Sequence, residues 1–279
     1  MNSALTKLRN AEHQLGRFIK SDVRAEPMLG APKLPRICGV VIIWLLAALP
    51  LLAQNFSFTN LLTQGEAVEK RGDIPGAFKI YSQAEPLATN CADLCVLTKR
   101  YCDLMHDARS PELEKTLAAK ALAAAFRAVQ ANPTNATARL CVAVSYVKNF
   151  PFVDNETKIK FSKDMKAQCE TAIALDPRQD VGYYLLGRWH FGTANMNFLL
   201  KGLVRVIYGA MPQASNEEAI KNFKQAIELA PNRIIHHREL AKAYEAVGET
   251  KLAASELEKC RRLKPLDRDD EEAQRYAGK

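Results

Sequence analysis

From about residue 60 onward, apolar residues recur at i, i+3, i+4 and i+7, with no run that alternates in the manner of a strand. This pattern predicts α-helix almost throughout and no sheet. Punctuation along the chain agrees with it. Ser110 followed by Pro111 reads as an N-cap with proline at the first helical position. Ser215 and Glu218 read as a capping box ahead of "AIKNFKQAIEL". Prolines then recur just past the expected helix ends, where they cannot continue the ladder.

The spacing of those prolines carries more information than the helices themselves. Pro231 and Pro265 stand 34 residues apart, the length of a tetratricopeptide unit of two antiparallel helices. Between them Ala241, Tyr244 and Ala253 fall where such a unit needs small or aromatic residues. Phrases recur as well: "AFRAVQANP", "TAIALDP" and "QAIELAP". Pro133, Pro177, Pro231 and Pro265 each follow by five residues a small residue of the expected helix: Ala128, Ala172, Ala226 and Cys260. Upstream, Ala77, Tyr81 and Ala84 fit another second helix. The wider spacing of Pro133, Pro177 and Pro231 predicts insertions near "NFPFVDNETK" and over Thr193–Ala214. The fold class is therefore all-α: a tetratricopeptide-like α-solenoid of about four to five degenerate helix pairs, preceded by one N-terminal hydrophobic helix.

That N-terminal helix is read from "ICGVVIIWLLAALPLLA", Ile37–Ala53, which is 17 residues without a charge and at the lower limit for a membrane span. Arg17, Lys20, Arg24, Lys33 and Arg36 precede it, while only Lys70 and Arg71 lie comparably close on the far side. The positive-inside rule then expects a single-pass anchor with the repeats across the membrane. The alternative is a signal peptide cleaved after Ala53, giving a secreted or periplasmic protein, with Met28 as an ordinary start for it. The resulting organisation is a basic, partly amphipathic or disordered segment 1–36, the anchor or signal 37–53, a linker 54–64, repeats over 65–266 and a charged tail 267–279.

Composition narrows the function. The 279 residues carry a net charge of +8, and half of that lies in residues 1–36. The remainder is a mixed surface without the basic block that nucleic-acid binding requires, so no nucleic-acid partner is expected. Of the seven cysteines, Cys91, Cys95 and Cys102 share one helical face. They lack the CxxC pairs or histidine partners of a zinc site, and they read as small apolar residues of a helical core. No metal and no cofactor are expected. "HHRELAKAY" lacks the spacing of a zincin helix, and no phosphate-binding glycine loop or GxSxG elbow occurs. The expectation is a non-enzyme.

A solenoid of this kind binds along the concave face lined by its first helices. The 34-residue register places Leu140, Val144 and Val147 there, then Val181, Tyr184, Arg188 and Phe191, then Ile235, Arg238, Lys242 and Glu245. Tyr184, Arg188, Arg238 and Lys242 should share one surface with Lys148 at its margin, suited to an acidic peptide, an acidic protein partner or a phospholipid-like amphiphile. The insertion Thr193–Ala214 is apolar around most of its circumference, which favours a buried wedge filling the groove over a membrane contact or a clasp on a ligand.

"LGRW" at Leu186–Trp189, the apolar insertion after it, and "PQASNEEA" at Pro212–Ala219 go beyond a generic repeat. Over Gly65–Leu266 the chain resembles the regulator of microtubule dynamics family. That resemblance implies helical repeats, association with microtubules in a eukaryotic source, and, in an anchored member, organelle tethering and phospholipid handling. The same repeat family extends to exported bacterial proteins, for which an envelope scaffold is the implied role.

Overall fold

The computed structural model describes residues 57–278. Among these, twelve α-helices follow one another: α1 (Phe58–Glu69), α2 (Ile74–Ala84), α3 (Cys91–Met105), α4 (Pro111–Ala131), α5 (Ala136–Asn149), α6 (Asn155–Leu175), α7 (Asp180–Ala194), α8 (Phe198–Tyr208), α9 (Asn216–Leu229), α10 (Ile234–Ala246), α11 (Thr250–Arg262) and α12 (Arg268–Ala277). They form five antiparallel pairs, α1/α2, α3/α4, α5/α6, α7/α9 and α10/α11, with α8 inserted in the fourth and α12 packed on the fifth. The array is a tetratricopeptide-like solenoid.

Local chemistry starts most of these helices. The side chains of Ser57, Asp73, Asn90, Ser110, Asn135, Asp154, Asn197, Ser215 and Asp267 each accept a hydrogen bond from a backbone N–H of the first turn. Each cap satisfies a donor that has no partner within its helix. Between α10 and α11 the chain reverses through Gly248 at φ +82°, a left-handed conformation costly for a residue with a Cβ.

Small residues let the paired helices approach. Ala77, Ala121, Ala128, Ala172, Ala226 and Cys260 are fully buried in these seams. A Cβ added at Gly187 would lie 2.6 Å from the ring of Phe223, so α7 and α9 touch where only glycine fits. Around these crossings lie fully buried large side chains such as Tyr81, Tyr101, Phe223, Leu97 and Leu117. Each contributes roughly 1.5–3 kcal/mol through removal from water.

Two sequence expectations are corrected. The single-pass membrane protein is the first. Among the described residues no helix is long and apolar enough to cross a membrane. The two longest, α4 and α6, have 21 residues each and carry charges along their length. The run Ile37–Ala53, on which anchor, signal peptide and N-terminal hydrophobic helix all rested, lies outside the described residues, as does the basic segment 1–36.

The second correction concerns the insertion. Its helix α8 does not fill the groove but lies against α6, a second helix of its pair and so on the outer layer. Val204 is buried beneath it, whereas Phe198, Leu199 and Val206 are 86%, 83% and 80% exposed. The physical reason is one-sided packing: a single neighbouring helix can cover only one stripe of α8.

The charged segment expected at 267–279 is helical over most of its length. Residues 268–277 form α12, capped by Asp267, with Ala273 and Ala277 buried.

Candidate functional site

The first helices of successive pairs carry the residues expected to share one surface. On α7, Tyr184 is buried, with its ring centroid 5.1 Å from that of His236 and 6.4 Å from that of Phe223. Burial pushes its phenol up to about 12, so it is a neutral hydroxyl. One turn on, Arg188 is exposed to solvent. Its Nη1 donates to the Tyr184 hydroxyl at 3.3 Å, and its guanidinium carbon lies 5.7 Å from the centre of that ring.

On α10, Arg238 and Lys242 both point to one acid. Arg238 Nε and Nη2 donate to Glu239 Oε1 at 3.0 and 2.5 Å, and Lys242 Nζ donates to the same oxygen at 3.2 Å. Burial alone would raise the Glu239 carboxyl, but Arg238, Arg188 and Lys242 hold it below its usual range. At the other end, Lys148 Nζ lies 3.0 Å from His106 Nε2 and 3.6 Å from Asp269 Oδ1.

Asp269 belongs to α12, and its position shows what sequence reasoning missed. The segment leading into α12 crosses towards the start of the array. There Arg268 pairs with Asp107 at 2.9 Å and Asp269 with His106 at 3.1 Å. Pro265, Leu266, Asp267, Arg268 and Glu271 line one cleft together with Glu69, Lys99 and Asp103. Burial opposes ionisation of Asp269, yet the hydrogen bond from His106 and the charges of Lys148 and Arg233 hold its carboxyl well below the ordinary range. Farther along α12, the Tyr276 ring lies 4.9 Å from Lys242 Nζ and 5.7 Å from the Arg238 guanidinium carbon. Cation–π contact of this kind holds the aromatic over the two cations. The signals for α12 were present: Asp267 as a cap, acids in the first turn, and Ala273 and Ala277 one turn apart.

Lys148, Tyr184, Arg188, Arg238 and Lys242 are thus linked through two carboxylates, since both Glu239 and Asp269 act on Arg188. Three of the four cations share the two acids. Lys148, Arg238 and Lys242 are paired with one or the other. Among the described residues no carboxylate lies within ion-pairing distance of Arg188. Of the other positions expected inside, Leu140 and Ile235 are buried, Val144, Val147, Val181 and Phe191 are half-buried, and Glu245 is exposed. Among the described residues no group of three His, Cys, Asp or Glu side chains is placed to hold a metal ion.

A family model described as "Regulator of microtubule dynamics protein 1-3" matches residues 56–279. The chain belongs to that family. It is 30% identical over 152 residues to Regulator of microtubule dynamics protein 2 of Homo sapiens, a match covering 53% of this chain and 37% of the human one. To Regulator of microtubule dynamics protein 1 of Mus musculus it is 27% identical over 228 residues, covering 78% and 72%. The chain therefore spans little more than a third of the length of the human relative. Among solved structures, a thermophilic TPR protein of Thermus thermophilus aligns with a TM-score of 0.54 at 18% identity, over 79% of this chain and 98% of that one. That likeness shows the fold. The family and the fold together make the chain a helical-repeat protein related to regulators of microtubule dynamics.

Proposed function

We propose that this family member is a non-catalytic interaction scaffold whose concave basic surface binds an acidic segment of a protein partner. The observation that carries the reading is Arg188, an exposed guanidinium with no carboxylate partner among the described residues, set beside three cations that share two acids. A planar fork of donors beside a neutral phenol suits a carboxylate. The chain supplies an internal example of the same chemistry, because Asp269 already occupies the Lys148 end.

The test uses a fluorescein-labelled hexaglutamate peptide and the full chain. Arg188→Gln should weaken binding more than tenfold while the chain stays folded, with only a small drop in melting temperature from the lost support of Glu239. Unchanged binding would remove the groove as the site. For this chain, association with microtubules is likewise a proposal, tested by co-sedimentation with assembled tubulin and the same variant.

A second reading rests on a different observation. The exposed stripe of Phe198, Leu199 and Val206 on α8 is flanked by Lys201 and Arg205, a pattern that suits a phospholipid surface. Flotation with anionic vesicles separates the readings, since Phe198→Ser with Leu199→Ser should abolish it and leave peptide binding intact.

A further inference from the structure

The described cysteines divide into two groups that the sequence did not separate. Cys102, Cys169 and Cys260 are buried, as core residues should be, but Cys91, Cys95 and Cys141 are only half-buried. These three meet in the seam between α3 and α5, the first helices of the second and third pairs. Cys91 and Cys95 stand one turn apart on α3, and Cys141 of α5 faces them with its Sγ 3.9 Å from the Cys95 carbonyl oxygen. The hydrogen bond that Cys141 donates to the Cys95 backbone brings its side chain alongside Cys95.

We propose that Cys95 and Cys141 form a redox-active dithiol, in which a peroxide oxidises Cys95 and Cys141 then closes a disulfide between the second and third helix pairs.

The hydrogen bond from Cys141, opposed by burial and aided by Cys91, brings the Cys95 thiol down to about 7. A lowered pKa favours the thiolate, the nucleophilic form. Its hydrogen bond to Cys95, with burial, pushes the Cys141 thiol up, and burial pushes up Cys91. The roles are thus unequal. The Cys95 thiolate attacks one oxygen of hydrogen peroxide. An S–O bond forms, the O–O bond breaks, and the departing hydroxide takes a proton from solvent to leave as water. The Cys141 sulfur then attacks the sulfenic sulfur, an S–S bond forms, and the hydroxyl leaves as water with the Cys141 proton. Two electrons have passed from the two sulfurs to the peroxide.

Cys91 is poorly placed to replace Cys141. Residues one turn apart on a helix hold their Cβ atoms about 5–6 Å apart, whereas a disulfide needs about 3.5–4.5 Å. The link would fix the angle between two neighbouring units, and the curvature of a solenoid is the sum of such angles.

The full chain is treated with hydrogen peroxide, its remaining thiols are alkylated, and peptides are mapped by mass spectrometry without reduction. The expected result is a Cys95–Cys141 linked peptide that dithiothreitol reverses, with Cys102, Cys169 and Cys260 alkylated only after denaturation. In Cys141→Ser, dimedone should trap a sulfenic acid on Cys95. In Cys95→Ser, Cys141 should remain a thiol under the same treatment. Oxidation of Cys141 at an unchanged rate in Cys95→Ser would overturn the proposal. So would a trapped Cys95 sulfenic acid in the wild type that never links to Cys141, or a wild type left unoxidised.

Discussion

The carboxylate of Asp269 lies 3.6 Å from the ammonium of Lys148, although one residue belongs to the last helix and the other to the third pair. This contact, with that of His106, draws the end of the chain over the concave face. It also makes the assembly sensitive to acid. The folded-state pKa values of Asp269 and Glu239 both lie below their ordinary values. Their stabilisation is therefore complete above the unfolded-state carboxyl pKa, about 4, and is lost as pH falls through the lower folded values. The melting temperature should drop below about pH 4 in wild type. Asp269→Asn should lower it at pH 7 and flatten the acid limb. An unchanged limb in that variant would assign the acid response elsewhere.

Glu239 holds two cations at once. Removing its charge leaves Arg238 and Lys242 partly buried without a carboxylate, and Glu239→Gln should cost about 2 kcal/mol. The reduced figure reflects the partial exposure of both cations, at 14% and 28% of their side chains. The same variant should bind hexaglutamate more tightly, because the groove then has one fewer internal acid. Urea unfolding and fluorescence anisotropy read the two effects separately.

Gly187 sits under a fully buried ring. Gly187→Ala places a methyl group 2.6 Å from Phe223, and that ring has no solvent space to retreat into. The expected destabilisation is about 1–3 kcal/mol. Phe223→Leu in the same chain should recover part of it, giving a coupling term in a double-mutant cycle. Strict additivity would mean that the two helices do not meet at this point.

The two faces of α8 should respond in opposite ways. Phe198→Ser and Leu199→Ser remove exposed apolar surface and should leave stability within about 0.5 kcal/mol. Val204→Asp buries an unpaired charge against the outer layer and should cost several kcal/mol. Equal losses from both would restore α8 to the interior.

The sequence by itself determined the repeat. A buried Ala or Cys five residues before each of four prolines, and an apolar period near 3.6, are local patterns read within a single unit, and they are enough to set helix pairs and their register. That register also brought Tyr184, Arg188, Arg238 and Lys242 to one surface, because residues at equivalent positions of stacked units must face the same side. What only the tertiary structure decided are contacts between distant units. Ile235 donates its N–H to Asp270 Oδ1 at 3.0 Å, 35 residues on, so α10 is capped by a later helix; Arg233, at its own N-cap, supplies no side-chain cap. The meeting of Cys141 with Cys95, the seat of Asp269 at Lys148 and the outward placement of α8 are of the same kind. Each depends on small rotations between successive units that accumulate into the curvature of the array. No short stretch of sequence displays that sum, since every unit looks the same whether its neighbours curve towards it or away.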